Sequence, residues 1–207
     1  DKDIDDLNFT VSIPRITNGK SNFKNIYLQA NADNGLNVSF NASALMKKDT
    51  LNMGVDFKAI DNVLYSNLLF YNTNQEKMLS GELKQRTNFY TTGENNDINI
   101  TSYILPTELI LQNKPWFVEN SVFVSDLKSF SLDNFRVYSV DNQQIVINGT
   151  ASDSPSDSLS IDLDRISLDY LSELIPDKST VWFGGTITGD AVIAAVLKQP
   201  RINADVI

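Results

Sequence analysis

The chain has 207 residues, 42% of them hydrophobic and 21% charged, which is enough to build and bury a core and argues against wholesale disorder. Its net charge of -9 excludes an electrostatic partnership with nucleic acid or an anionic lipid surface, since no cluster of Lys and Arg offsets it. Cysteine and histidine are both absent, which removes disulfides, thiolate chemistry, a Ser-His-Asp triad and the commonest metal ligand together.

Taken in chain order, the acidic start Asp1-Lys2-Asp3-Ile4-Asp5-Asp6 has the flavour of a calcium loop. It lacks Gly at the sixth position and an acid at the twelfth, so it is expected to be a solvated end. Neither end reads as a natural terminus, and the chain is expected to be an interior piece of a longer protein. No apolar run approaches the ~20 residues a membrane-spanning helix needs.

The strand-turn-strand pattern runs from about Asn8 to the end, and its dominant signal is period two, the signature of strands with one dry face and one wet face. Leu36, Val38, Phe40 and Ala42 alternate with Asn37, Ser39 and Asn41. Leu51, Met53, Val55, Phe57 and Ala59 alternate with Asn52, Gly54, Asp56 and Lys58. Further strands are expected over Val63 to Tyr71, Leu79 to Phe89, Ile98 to Thr101, Leu109 to Gln112, Phe117 and Val118, and Ser121 to Val124. Others follow over Phe130 to Ser139, Gln144 to Ala151, Leu159 to Leu163, Thr186 to Val196 and Ile202 to Ile207. Asp33-Asn34-Gly35, the run from Thr92 to Asp97, Val140 to Gln143 and Ser152 to Ser158 supply turns.

Two places suggest helix. Leu168, Leu171, Leu174 and Ile175 fall at helical spacing, with Ser167 as a cap and Pro176 as a stop, so one short helix is expected near 167-175. A helical turn is allowed from Thr107 to Leu111, after Pro106. The fold expected is all-β: one continuous, mostly antiparallel meander over 1-207, curled into a trough, with that one helix.

The chemistry-bearing candidates have plainer structural readings. Asp162 and Asp164 share one face of a strand, as paired carboxylates acting on a sugar would, but a solvated strand face explains them. Ser152-Asp153-Ser154-Pro155-Ser156-Asp157-Ser158 is a hairpin loop before it is an ion site. Trp182-Phe183-Gly184-Gly185-Thr186-Ile187-Thr188-Gly189-Asp190 lacks phosphate-loop spacing and fits strand bends. The Asn-x-Ser/Thr triplets at Asn8, Asn37, Asn41, Asn99 and Asn148 follow from an Asn-rich composition. No catalytic residue, metal ligand or cofactor is assigned, and the chain is not expected to be an enzyme.

From Ile104 onward an ordered set of landmarks appears. They are Leu105-Pro106-Thr107-Glu108-Leu109-Ile110-Leu111, Lys114-Pro115-Trp116-Phe117-Val118, and Ser131-Leu132-Asp133-Asn134-Phe135-Arg136-Val137. Gln143 to Ser152, Asp157 to Leu163, Gly184 to Asp190 and Pro200 to Asp205 follow. This set resembles TamB-type translocation and assembly proteins of the AsmA-like group, in their Bacteroidetes form. The resemblance implies an interior, β-taco-like segment of an envelope protein anchored in the inner membrane and crossing the periplasm. It further implies an apolar groove for phospholipid passage or outer-membrane protein assembly. The partners implied are acyl chains or an outer-membrane strand, with an outer-membrane assembly partner reached through regions outside this segment. The expected lining is Phe130, Leu132, Phe135, Val137, Ile145, Ile147, Leu159, Ile161 and Leu163, with Leu36, Val38, Phe40, Met53, Val55 and Phe57 upstream. Alternation alone fits the closed core of a β-sandwich equally well. The competing reading is a Bacteroidetes surface module binding glycan or protein, with Trp116, Tyr138 or Trp182 as exposed aromatics.

Overall fold

The computed structural model describes residues 7–18, 21–45, 49–74, 76, 78–94, 96–168 and 184–207. These residues form one all-β sheet of fifteen antiparallel strands. They are β1 (Asn8–Asn18), β2 (Ser21–Asn31), β3 (Leu36–Leu45), β4 (Thr50–Ile60), β5 (Val63–Asn72), β6 (Leu79–Thr92), β7 (Asp97–Ile104) and β8 (Thr107–Leu111). The rest are β9 (Lys114–Val118), β10 (Ser121–Ser125), β11 (Phe130–Ser139), β12 (Gln144–Ala151), β13 (Ser158–Ser167), β14 (Thr186–Ala194) and β15 (Arg201–Val206).

Almost every strand pairs with its neighbours in sequence, as hairpins demand. The exception lies at β7 to β10. β7 and β8 together follow β6, interrupted at Leu105-Pro106, and β9 and β10 together follow β11, interrupted at Glu119-Asn120. They form in effect one long hairpin with a break across both arms. Its tip, Gln112-Asn113, has positive φ at both residues, 53° and 65°, as a two-residue turn matched to strand twist needs.

Thr107 to Leu111 is therefore strand, not a helical turn. It is hydrogen-bonded to β6 on one side and β9 on the other, and two ladders outweigh a short run's local preference. The expected helix near 167-175 falls mostly outside the described residues, but Ser167 pairs with Thr186 as the last residue of β13.

Three register shifts interrupt the ladders. In each, two residues oppose one: Asn25 and Ile26 face Ala42, Asp133 and Asn134 face Asn148, and Asp164 and Arg165 face Thr188. Asn25, Asn134 and Arg165 carry the positive φ that the extra residue requires. The last two shifts are built alike. Leu132-Asp133-Asn134-Phe135 opposes Ile147-Asn148-Gly149, and Leu163-Asp164-Arg165-Ile166 opposes Ile187-Thr188-Gly189. In each the partner's side chain accepts from the bulge amide, Asn134 N to Asn148 Oδ1 at 2.6 Å and Arg165 N to Thr188 Oγ1 at 3.0 Å.

The core is small. Leu109, Trp116 and Val118 are buried, with Phe70, Leu83, Ile104, Leu111, Phe135, Val137 and Ile166 packed around them. These residues come from strands between β5 and β13, so the sheet bends over its own face there.

Candidate functional site: an apolar inner face

Residues directly opposite in register point to one side of a sheet, and residues two apart along a strand do the same. The register therefore sorts every strand residue onto one of two faces. One carries Val11, Leu28, Phe40, Val55, Leu68, Leu83 and so on through Phe135, Ile147, Ile161, Ala191 and Ala204. All fifteen residues expected to line a groove lie on it. The bulges keep it continuous. Leu132 and Phe135 are three apart in sequence, yet they oppose Gly149 and Ile147, which are two apart. The sequence changes phase where the backbone does.

The two faces differ chemically. Every described Phe except Phe117 stands on the apolar face, and every described Tyr stands on the other. Lys114, at the tip of the β8–β9 hairpin, is the one charged strand residue in register with the apolar face among the described residues, and it pairs with Asp141 at 2.6 Å. The polar groups on that face satisfy one another. Gln85 Nε2 donates to Ser102 Oγ at 2.9 Å, and Thr87 and Ser102 hydroxyls are 2.5 Å apart.

The apolar face is the inner side of a curl. Val55 and Phe57 of β4 and Phe135 of β11 line one cavity of about 400 Å³. β5, β6, β7 and β10 lie between them on the ladder path, which is ~24 Å of sheet at about 4.8 Å per strand. Only strong curvature brings those side chains to one cavity.

That curl does not seal the face. Of the expected lining residues only Leu159 is buried; Leu36 and Phe57 are each 38% exposed and the rest are half-buried. Sequence reasoning missed the share of β1, β2 and β15 in this face, including Phe9, Phe23 and Ile202. Alternation was the available signal in β1, hidden by its phase change between Ile13 and Ile16.

The opposite face is mostly polar. Cross-strand register sets Asn37, Lys58, Tyr65, Arg86 and Tyr103 in one row from β3 to β7, and Ser39, Asp56, Asn67 and Lys84 in the next. The two rows line a second cavity of about 590 Å³. Beside it the Lys84 ammonium, at 3.1 Å, and the Asn67 amide hold Glu82 below the usual carboxylate range.

The remaining candidates fall as follows. Trp116 is 3% exposed on the inner face and cannot present itself to a glycan. Tyr138 lies on the polar face between Phe117 and the Arg136 guanidinium, and Trp182 lies outside the described residues. Asp162 and Asp164 share the polar face, with Asp164 paired to Arg165 at 3.1 Å. The loop from Ser152 to Ser158 closes on itself, Ser152 Oγ donating to Asp157 at 2.7 Å. No group of acidic residues among the described residues is arranged to hold a metal ion, and no described helix is long and apolar enough to cross a membrane. No protein-family model matches this chain, and no curated protein or solved structure is significantly similar to it.

Proposed function

We propose that this chain is a length of apolar conduit in an envelope protein of the TamB/AsmA-like kind, lying in the periplasm and sheltering acyl chains in transit between membranes. One observation carries the reading: an apolar face continuous across the whole sheet forms the inside of a curl and stays partly open. An acyl chain costs about 0.8 kcal/mol per methylene exposed to water. A carrier must therefore offer an unbroken apolar path, and the one charged strand residue in register with this face among the described residues, Lys114, stands at a hairpin tip in an ion pair with Asp141. A closed core would need the same residues dry, and all but Leu159 keep part of their surface exposed. The ordered landmarks from Ile104 onward support the family part of the reading, and the larger protein's anchor and partners are part of the proposal.

The test is direct. A photo-crosslinking residue at Phe135 or Ile147 should label lipid in cells, while one at Asp162, on the other face, should not. Phe135→Asp should lower lipid copurification several-fold with the fold retained by circular dichroism. Label appearing on an outer-membrane protein instead would convert the cargo to an unfolded strand, and label on neither would end the conduit reading.

A further inference from the structure

The cavity on the polar face sets Lys58, Lys84 and Arg86 beside the rings of Tyr65 and Tyr103 and the apolar Phe57 and Leu105. In a chain of net charge -9, Lys58, Lys84 and Arg86 converge on one cavity whose lining holds a single carboxylate, Asp56. Lys84 is engaged by Glu82. Lys58 and Arg86 are in no ion pair among the described residues. Arg86 lies 4.7 Å from the Tyr103 ring, which fixes its plane and leaves its N–H fork unspent. Between these two cations, directly opposite each in register, stands Tyr65, 47% exposed. Cation, ring, cation is a repeated spacing about one strand apart.

The cavity wall also holds a buried acceptor without a donor. Asn67 gives its Nδ2 to Glu82 at 2.9 Å, while its Oδ1 is buried without a partner. A simple anion would satisfy Lys58 and Arg86 but offers nothing to Asn67 or to the Tyr65 ring. A hydrocarbon would cover the Tyr65 ring but leave both cations and the Asn67 oxygen unmet. Peptides that dock through their backbone need a free strand edge, and β3 to β7 are interior strands paired on both sides. We infer that this cavity binds an acidic saccharide, its carboxylate or sulfate on Lys58 and Arg86, the C–H face of its ring on Tyr65, and its hydroxyls on the amide side chains. Lys58, Tyr65 and Arg86 stand on the face opposite Phe135 and Ile147, so loss of sugar binding and loss of lipid labelling are separate outcomes.

The experiment is calorimetric titration of the full chain with trigalacturonate, a sulfated disaccharide, neutral maltotriose and a tetraglutamate peptide. At least one acidic sugar should bind, with maltotriose at least tenfold weaker. Arg86→Gln, Lys58→Gln and Tyr65→Ala should each weaken that sugar at least fivefold, while Lys198→Gln, on an exposed turn, leaves it unchanged. Unfolding midpoints identify any variant that has lost its fold, and the two cation variants on separate strands back each other up. Absence of binding by both acidic sugars overturns the site. Tetraglutamate binding as tightly as the sugars and surviving Tyr65→Ala would reduce it to a nonspecific positive patch and overturn it too.

Discussion

Gly149 shows how much of this fold rests on single residues. Its φ of 111° is reached cheaply by glycine alone, and a Cβ there would collide with the Ser158 carbonyl oxygen. Gly189, at the matching place beside the other bulge, is in the same position against Asp205. Gly149→Ala should therefore cost on the order of 1–3 kcal/mol of stability, read as a fall in urea midpoint without a change of slope. Trp116→Ala should cost about 3–5 kcal/mol, the range for a large buried aromatic, in the same measurement. Asp49 gives a pH prediction. Partial burial raises its pKa, but the Thr73 hydroxyl, the amides of Thr50 and Thr73, and the Asn72 side chain outweigh that and hold it below the ordinary value. Because the folded value is lowered, its contribution is fully present above the unfolded carboxylate value of about 3.9 and is lost as pH falls through the folded one. Unfolding free energy measured from pH 5 down to 2.5 should fall more steeply in the wild type than in Asp49→Asn.

At the scale of elements, the strands and their dry face were legible because alternation is set by backbone geometry. Phe130, Leu132, Phe135 and Val137 share a face although their spacing breaks phase, and a list of apolar residues survives that break. Register was not legible, and it decides the rest. Asp162, Asp190 and Asp205 stand directly opposite one another across β13, β14 and β15, which nothing in their sequence separation announces. Like charges so placed repel, so Asp190→Asn should raise stability by about 0.2–1 kcal/mol. The gain should shrink in high salt, which equilibrium unfolding at two ionic strengths would show. The helical turn at Thr107 to Leu111 failed for the same reason: its partners, Leu79 to Gly81 and Lys114 to Val118, lie on both sides in space. Trp116 was expected among the exposed aromatics, yet its place opposite Leu109 turns it inward. The second cavity was invisible for want of register as well, since Lys58, Tyr65 and Arg86 meet only once three strands are aligned.

For the whole molecule, the nearest-neighbour path of the ladders governs how the chain comes to its fold. Apart from β6–β8, β7–β10 and β9–β11, every pairing joins consecutive strands, so most loops closed during folding are short and their entropy cost is small. No distant segment must be found before a hairpin can form. The sheet is then a quasi-linear array, in which stability is close to a sum of hairpins and the couplings between neighbours. Such a chain can fold progressively from any point, strand by strand, with each new strand laid on an edge already made. Hydrogen exchange should accordingly show protection graded from the central strands around Trp116 outward to β1 and β15, rather than one global opening.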